Sequence, residues 1–188
     1  WATGGEVLTG QIDRLLVEVL IGEAGTVHYQ LWAEARNGEA ALAFHLPAGA
    51  RLLAAQRDGA PVTLGESADG AWAVPMVVRE APQVISLEAL IDLPFPTQGG
   101  ALKVPLPRLG VPASRVEVRV AAPPGFRYTL AEPSRATRLA PPPPASGIGF
   151  LAPIRGFTVL EAGWAGWSQE PPPLAIDVKP LETSGRAR

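Results

Sequence analysis

Residues 26–36 read Thr26-Val27-His28-Tyr29-Gln30-Leu31-Trp32-Ala33-Glu34-Ala35-Arg36 and alternate at every second position. Val27, Tyr29, Leu31, Ala33 and Ala35 fall on one side; Thr26, His28, Gln30, Trp32, Glu34 and Arg36 fall on the other. Successive side chains of an extended strand point to opposite faces, so this pattern predicts a half-buried β-strand. Asn37-Gly38 follows, and both residues tolerate the positive φ of a tight turn. Leu42, Phe44 and Leu46 resume the alternation, so 26–46 is predicted to be a β-hairpin.

The same reasoning extends in both directions. Leu15 to Ile21 is apolar on both faces apart from Glu18, as expected for a central strand. Arg51 to Gln56 and Pro61 to Leu64 flank the turn Asp58-Gly59, and Ala71 to Val78 follows Asp69-Gly70. Ile85, Leu87, Ala89 and Ile91 share one face of a long strand. Leu, Glu and Ala also favour helix here, but the spacing and flanking prolines favour a strand. Val116, Val118 and Val120, then Phe126, Tyr128 and Leu130, then Phe157 and Val159, and finally Leu174, Ile176 and Val178 complete the set.

With 21 prolines and 20 glycines, few uninterrupted windows remain for a helix of ordinary length. Many short strands with turn signals between them predict an all-β fold, an immunoglobulin-like antiparallel β-sandwich. An alternating strand, a Pro-x-Gly turn and a second strand occur around Pro47-Ala48-Gly49 and again around Pro123-Pro124-Gly125. That repetition suggests two small sandwich lobes in tandem, residues 1–93 and 94–180, joined near Leu93-Pro94-Phe95-Pro96. A proline-rich arm is expected over 131–153, where polyproline II is extended and lacks internal hydrogen bonds. Residues 181–188 read as a flexible tail.

The chain has 188 residues, enough to bury a core without a metal or a disulfide. The charged fraction of 18% is low for a fully solvated surface and hints at a covering partner, although a GC-rich coding bias would also lower it. A net charge of −2 supplies no electrostatic reason for a nucleic-acid partner. The lack of cysteine excludes disulfides, thiolate metal sites and cysteine nucleophiles. No apolar run approaches the roughly 20 residues of a membrane-spanning helix, so no transmembrane segment is expected. The start at Trp1 is read as a processed or excised product, which leans towards export.

Chemistry is sparse. His28 and His45 lie on the polar face of the expected hairpin and could approach one another across it, but no third ligand stands at a supporting spacing. Neither is accompanied by a nucleophile motif; Gly65-Glu66-Ser67-Ala68-Asp69-Gly70 reads as a turn. Glu18, Glu34, Glu88, Asp92, Glu117, Glu161 and Asp177 are scattered, and no pair is distinguished as acid and base. No catalytic, cofactor-binding or metal-binding residue is therefore assigned, and a non-enzyme is expected. Interaction candidates are Trp32, on the nominally polar face of its strand, Trp164 and Trp167, and the proline runs Pro141, Pro142, Pro143, Pro144 and Pro171, Pro172, Pro173. Exposed Trp is enriched at interfaces because it buries much area with few rotors to freeze. Trp72 is assigned to the core.

Leu46-Pro47-Ala48-Gly49, Asp58-Gly59-Ala60-Pro61-Val62, Val74-Pro75-Met76 and Val104-Pro105-Leu106-Pro107 follow in an order that resembles the β-sandwich regions of large bacterial membrane-anchored, extracytoplasmic proteins. The resemblance covers residues 40–130 and rests on strand-and-turn punctuation. It implies location and architecture, not chemistry. The expected function is a structural or protein-interaction module, periplasmic or extracellular and peripheral to a membrane, docked as an accessory subunit on a larger membrane protein complex. Two alternatives stand beside it: a carbohydrate-binding module that stacks Trp32, Trp164 or Trp167 on sugar rings, and a hydrolase whose pocket sequence does not reveal.

Overall fold

The computed structural model describes residues 10–22, 24–36, 41–66, 70–131, 156–167 (backbone only from 164) and 173–181. Its strands, in chain order, are β1 (Gln11–Ile21), β2 (Thr26–Arg36), β3 (Ala41–His45), β4 (Arg51–Arg57), β5 (Ala60–Pro61), β6 (Gly65–Glu66) and β7 (Trp72–Pro75). There follow β8 (Gln83–Asp92), β9 (Gly100–Val104), β10 (Arg108–Leu109), β11 (Ala113–Ala122), β12 (Phe126–Leu130), β13 (Thr158–Trp167) and β14 (Leu174–Pro180). They form three sheets: seven strands in the order β13-β11-β1-β2-β8-β4-β5, four in the order β10-β3-β7-β6, and three in the order β12-β14-β9.

The chain is all-β and sandwich-like, and the alternation of residues explains how its layers close. Val17, Val19, Leu31, Ile85, Leu87, Val116 and Val118 point from the large sheet into one core. Leu42, Phe44 and Val74 meet them from the four-stranded sheet; Leu102, Tyr128 and Ile176 meet them from the three-stranded one. Strand β1 is central, as its two-sided apolar pattern predicts, with β11 parallel on one side and β2 antiparallel on the other. The turn from β1 to β2 depends on Gly25, whose φ is 89°. A Cβ there would collide with the Leu93 carbonyl oxygen, while Leu93 N–H donates to the Gly25 carbonyl at 2.9 Å. Only glycine tolerates both the left-handed backbone and that approach.

Two buried phenols tie strands to neighbouring chain. Tyr29 Oη donates to the Pro105 carbonyl at 2.9 Å, and Tyr128 Oη to the Pro123 carbonyl at 2.8 Å. Burial disfavours both phenolates, raising the pKa of Tyr29 and pushing that of Tyr128 up to about 12.

One expectation changes. The hairpin over 26–46 does not form: β2 lies between β1 and β8 in the large sheet, whereas β3 pairs with β7 and β10 in another. The alternation on each strand is as read, but β2 finds ten-residue partners on both sides, against the five residues that β3 offers. Strands from either side of residue 93 share a sheet, β11 and β13 standing with β1 and β2. The described strands form three sheets, and the parallel β1–β11 pair makes the large one mixed. The arm beyond Ala131 and the tail beyond Leu181 lie outside the described residues.

Candidate interaction surface

The outer face of the large sheet is the first place where polar groups gather. Arg14, Leu16 and Glu18 of β1 stand between Gln30 and Trp32 of β2 and Arg115, Glu117 and Arg119 of β11. Arg14 lies 3.4 Å from Glu117, Arg115 lies 3.0 Å from Glu117, and Arg119 reaches Glu18 and Glu161, each at 3.5 Å. Glu18 is 3% exposed, and the Arg119 guanidinium beside it offsets part of the cost of burying its carboxylate. Trp32 is 6% exposed, with the Arg14 guanidinium carbon 5.7 Å from its ring centroid, in cation–π range. Arg14 Nε, Gln30 Oε1 and Trp32 Nε1 are buried without a hydrogen bond among the described residues. This face is a lattice of side chains covering one another, and it leaves no indole plane open for a sugar ring at Trp32.

The second place is the segment from Met76 to Pro82, between β7 and β8. Gln83 begins β8 on the inner face, where the alternation Gln83, Ile85, Leu87 calls for an apolar residue, and it is 1% exposed. Its carboxamide acts as a backbone partner for Val77: Val77 N–H donates to Gln83 Oε1 at 2.9 Å, and Gln83 Nε2 donates to the Val77 carbonyl at 2.7 Å. Arg79 donates to the Pro82 carbonyl at 2.9 Å and pairs with both oxygens of Asp58, at 2.9 and 2.8 Å. Arg57 donates to the Pro75 carbonyl at 2.5 Å.

Asp58 is itself fixed by the β4–β5 turn, where it has φ 52° and Gly59 has φ 79°. The two left-handed residues make the tight turn that Asp-Gly favours. Asp58 Oδ1 accepts from Val84 N–H at 3.0 Å, and this hydrogen bond, with help from Arg79, holds its carboxyl below the ordinary carboxylate range. The clamped segment carries Val77, 46% exposed, and Val78, 90% exposed.

The third place is a cleft of about 400 Å³ at the edge of the large sheet. Leu52, Leu53 and Ala55 of β4 line it together with Val62, Leu64 and Trp72. Trp72 is half-buried and packs against the core, as expected of it.

The remaining site residues fall elsewhere. His28 sits in the large sheet, 3.8 Å from Glu88, and His45 sits in the four-stranded sheet opposite Arg108. With β2 and β3 in different sheets, the two imidazoles do not face one another across a hairpin. Trp164 and Trp167 belong to β13, in register with Val116 and Ala113. Pro173 is exposed just before β14. Pro141, Pro142, Pro143, Pro144, Pro171 and Pro172 lie outside the described residues. Among the described residues no three His, Cys, Asp or Glu side chains assemble as metal ligands. Among the described residues there is no helix long and apolar enough to cross a membrane. The clamp escaped sequence reasoning, although Gln83 in an apolar register was a readable signal.

No family model and no curated protein matches the chain. Several solved structures share its fold. An M1 zinc metallopeptidase from Deinococcus radiodurans matches 93% of this chain with 43% of its own, at 17% identity and a TM-score of 0.56. A two-domain M1 zinc metallopeptidase bound to L-arginine matches with the same coverage and identity and a TM-score of 0.57. Native yeast LTA4 hydrolase matches 90% of this chain with 29% of its own, at 7% identity and a TM-score of 0.51. The chain thus spans less than half the length of each of these three proteins, and at such identities the likeness is one of fold alone.

Proposed function

We propose that this chain is a non-catalytic protein-interaction module that docks on a larger assembly through the Met76–Pro82 segment. The observation that carries the reading is the pairing of an exposed apolar tip with a rigid mount. Val78 is 90% exposed and adds little to the core, yet Gln83, Arg79, Asp58 and Arg57 hold the chain on either side of it. A segment fixed before binding loses less conformational entropy on docking than a loose one. Rigid presentation of valine to water has no folding rationale, and it suits a partner with an apolar socket.

In the M1 peptidases the similar part makes up 43% of the chain, so there the architecture works as one part of something larger. The module is placed outside the cytoplasm, as an accessory at a membrane-associated complex, on the strength of its strand-and-turn resemblance to extracytoplasmic sandwich regions.

The test is isolation from native membranes in mild detergent, comparing the natural chain with a Val77→Ser, Val78→Asp variant. A partner should accompany the natural chain and be lost from the variant, whose thermal unfolding should match the natural protein. Migration of the natural chain as a free monomer would refute the reading.

A further inference from the structure

The large sheet ends at an edge that is only half covered. Strand β5 runs antiparallel to β4, with Ala60 opposite Arg57 and Pro61 opposite Gln56. Val62 N–H still donates to the Ala55 carbonyl at 3.1 Å. The chain then leaves the edge, and Gly65–Glu66 joins β7 in the four-stranded sheet. From Arg51 to Ala54, β4 pairs with β8 on one side, and no strand among the described residues pairs with the other. An open strand edge presents N–H and C=O groups at the spacing of a missing neighbour.

The cleft of about 400 Å³ lies along this open edge. Its walls are Leu52, Leu53, Ala55, Val62, Leu64 and Trp72, and Gln56 is the one polar side chain that lines it. A small-molecule site of this size usually offers several convergent polar side chains. Here the polar recognition groups are those of the backbone, and backbone groups in a row recognise another backbone. Arg51, at the far end of the edge, is exposed, and no carboxylate among the described residues pairs with it. It supplies a positive charge where an added strand would end.

We propose that the edge of β4 accepts an extended peptide segment by strand addition. The peptide runs antiparallel to β4 along the path that the chain abandons after Val62, places alternate apolar side chains in the cleft, and ends with a carboxylate beside Arg51. The register shift between Leu52 and Ala54 bends the edge. That bulge limits the ladder to a few residues and discourages open-ended stacking of copies. This site is separate from the docking segment and does not rest on it.

The probe is a set of acetylated six-residue peptides that alternate threonine with valine, leucine or phenylalanine and end in glutamate. Each is titrated into the full chain while backbone amide and indole resonances are followed. The expected result is saturable shifts at Arg51–Ala55 and at the Trp72 indole for at least one peptide. Methylating alternate peptide nitrogens should weaken binding about tenfold or more, because ladder hydrogen bonds are lost. Ending the peptide in lysine should weaken it about three- to tenfold, and Arg51→Glu should invert that preference. Leu53 is 51% exposed, so Leu53→Asp should leave folding intact while abolishing binding. Three results would overturn the proposal: no shifts at millimolar peptide, shifts confined to other strands, or equal binding of the methylated peptides. Each is distinguishable from loss of the docking partner, which is read on Val77 and Val78.

Discussion

The two faces of strands β1 and β2 are both largely buried, and they are built in opposite ways. The inner face is hydrocarbon apart from the Tyr29 hydroxyl: Val17, Val19, Leu31 and Ala33 join one apolar core with residues of the smaller sheets. On the outer face Leu16 and Trp32 are nearly as buried, but they share the surface with Arg14, Glu18, Glu117 and Arg119. The inner face tolerates any hydrophobe of the right volume. The outer one depends on which charge stands beside which, since an ion without its partner pays for desolvation unaided. Burial therefore does not follow from polarity, and the two faces should fail differently when altered.

The largest effect is expected on the inner face. Leu31→Ala leaves a cavity in the core and should lower unfolding free energy by about 2–5 kcal/mol in chemical denaturation. On the outer face, Arg119→Ala strips the guanidinium from the 3%-exposed Glu18. Because Arg119 is itself 30% exposed, the cost should be smaller, about 1–3 kcal/mol. The double variant Glu18→Leu, Arg119→Leu should recover most of that loss. If the double variant is as unstable as the single one, the pair is not the unit that stabilises this face.

The phenols sharpen the contrast through pH. Burial raises the pKa of Tyr29 and Tyr128, so the folded state favours the neutral phenols. Their contribution is complete below the unfolded value near 10 and is lost as pH rises, for Tyr128 through about 12. Denaturation midpoints should fall over that interval, and Tyr128→Phe should remove part of the fall.

Asp58 works in the other direction. Its folded pKa is depressed, so its contribution is present above the ordinary carboxylate value and lost as pH drops through the folded one. Asp58→Asn should flatten the acid limb of a stability profile by a small amount, since the carboxylate is partly exposed. The smallest effect on folding is expected at the clamped tip, where Val78→Ser should change stability by no more than about 0.5 kcal/mol.

Much of the strand content was legible because alternation is local. Glu18 within an apolar run marked a central strand, and Asp58-Gly59 marked a turn whose two residues both take positive φ. Ile85 to Ile91 also read correctly as strand against its helical composition. The candidate surface was less legible. Trp32 sits where its alternation placed it, on the face away from the core, but Arg14 covers it from the neighbouring strand. The clamp joins Asp58, Arg79 and Gln83 across a turn, a loop and a strand start, and no motif spacing encodes that.

What the residues determined alone is the extended conformation of most segments and the positions where the chain turns. Side-chain period and left-handed turn residues act over a few neighbours and need no distant partner. Which strands pair was decided only by the whole fold. Strand β1 lies beside β11, about a hundred residues away, and β2 passes over β3 for β8, because those pairings offer the longest ladders and bury both faces of the centre. Pairing energy depends on every strand at once, so it is a property of the assembled sheets, not of any one stretch of chain.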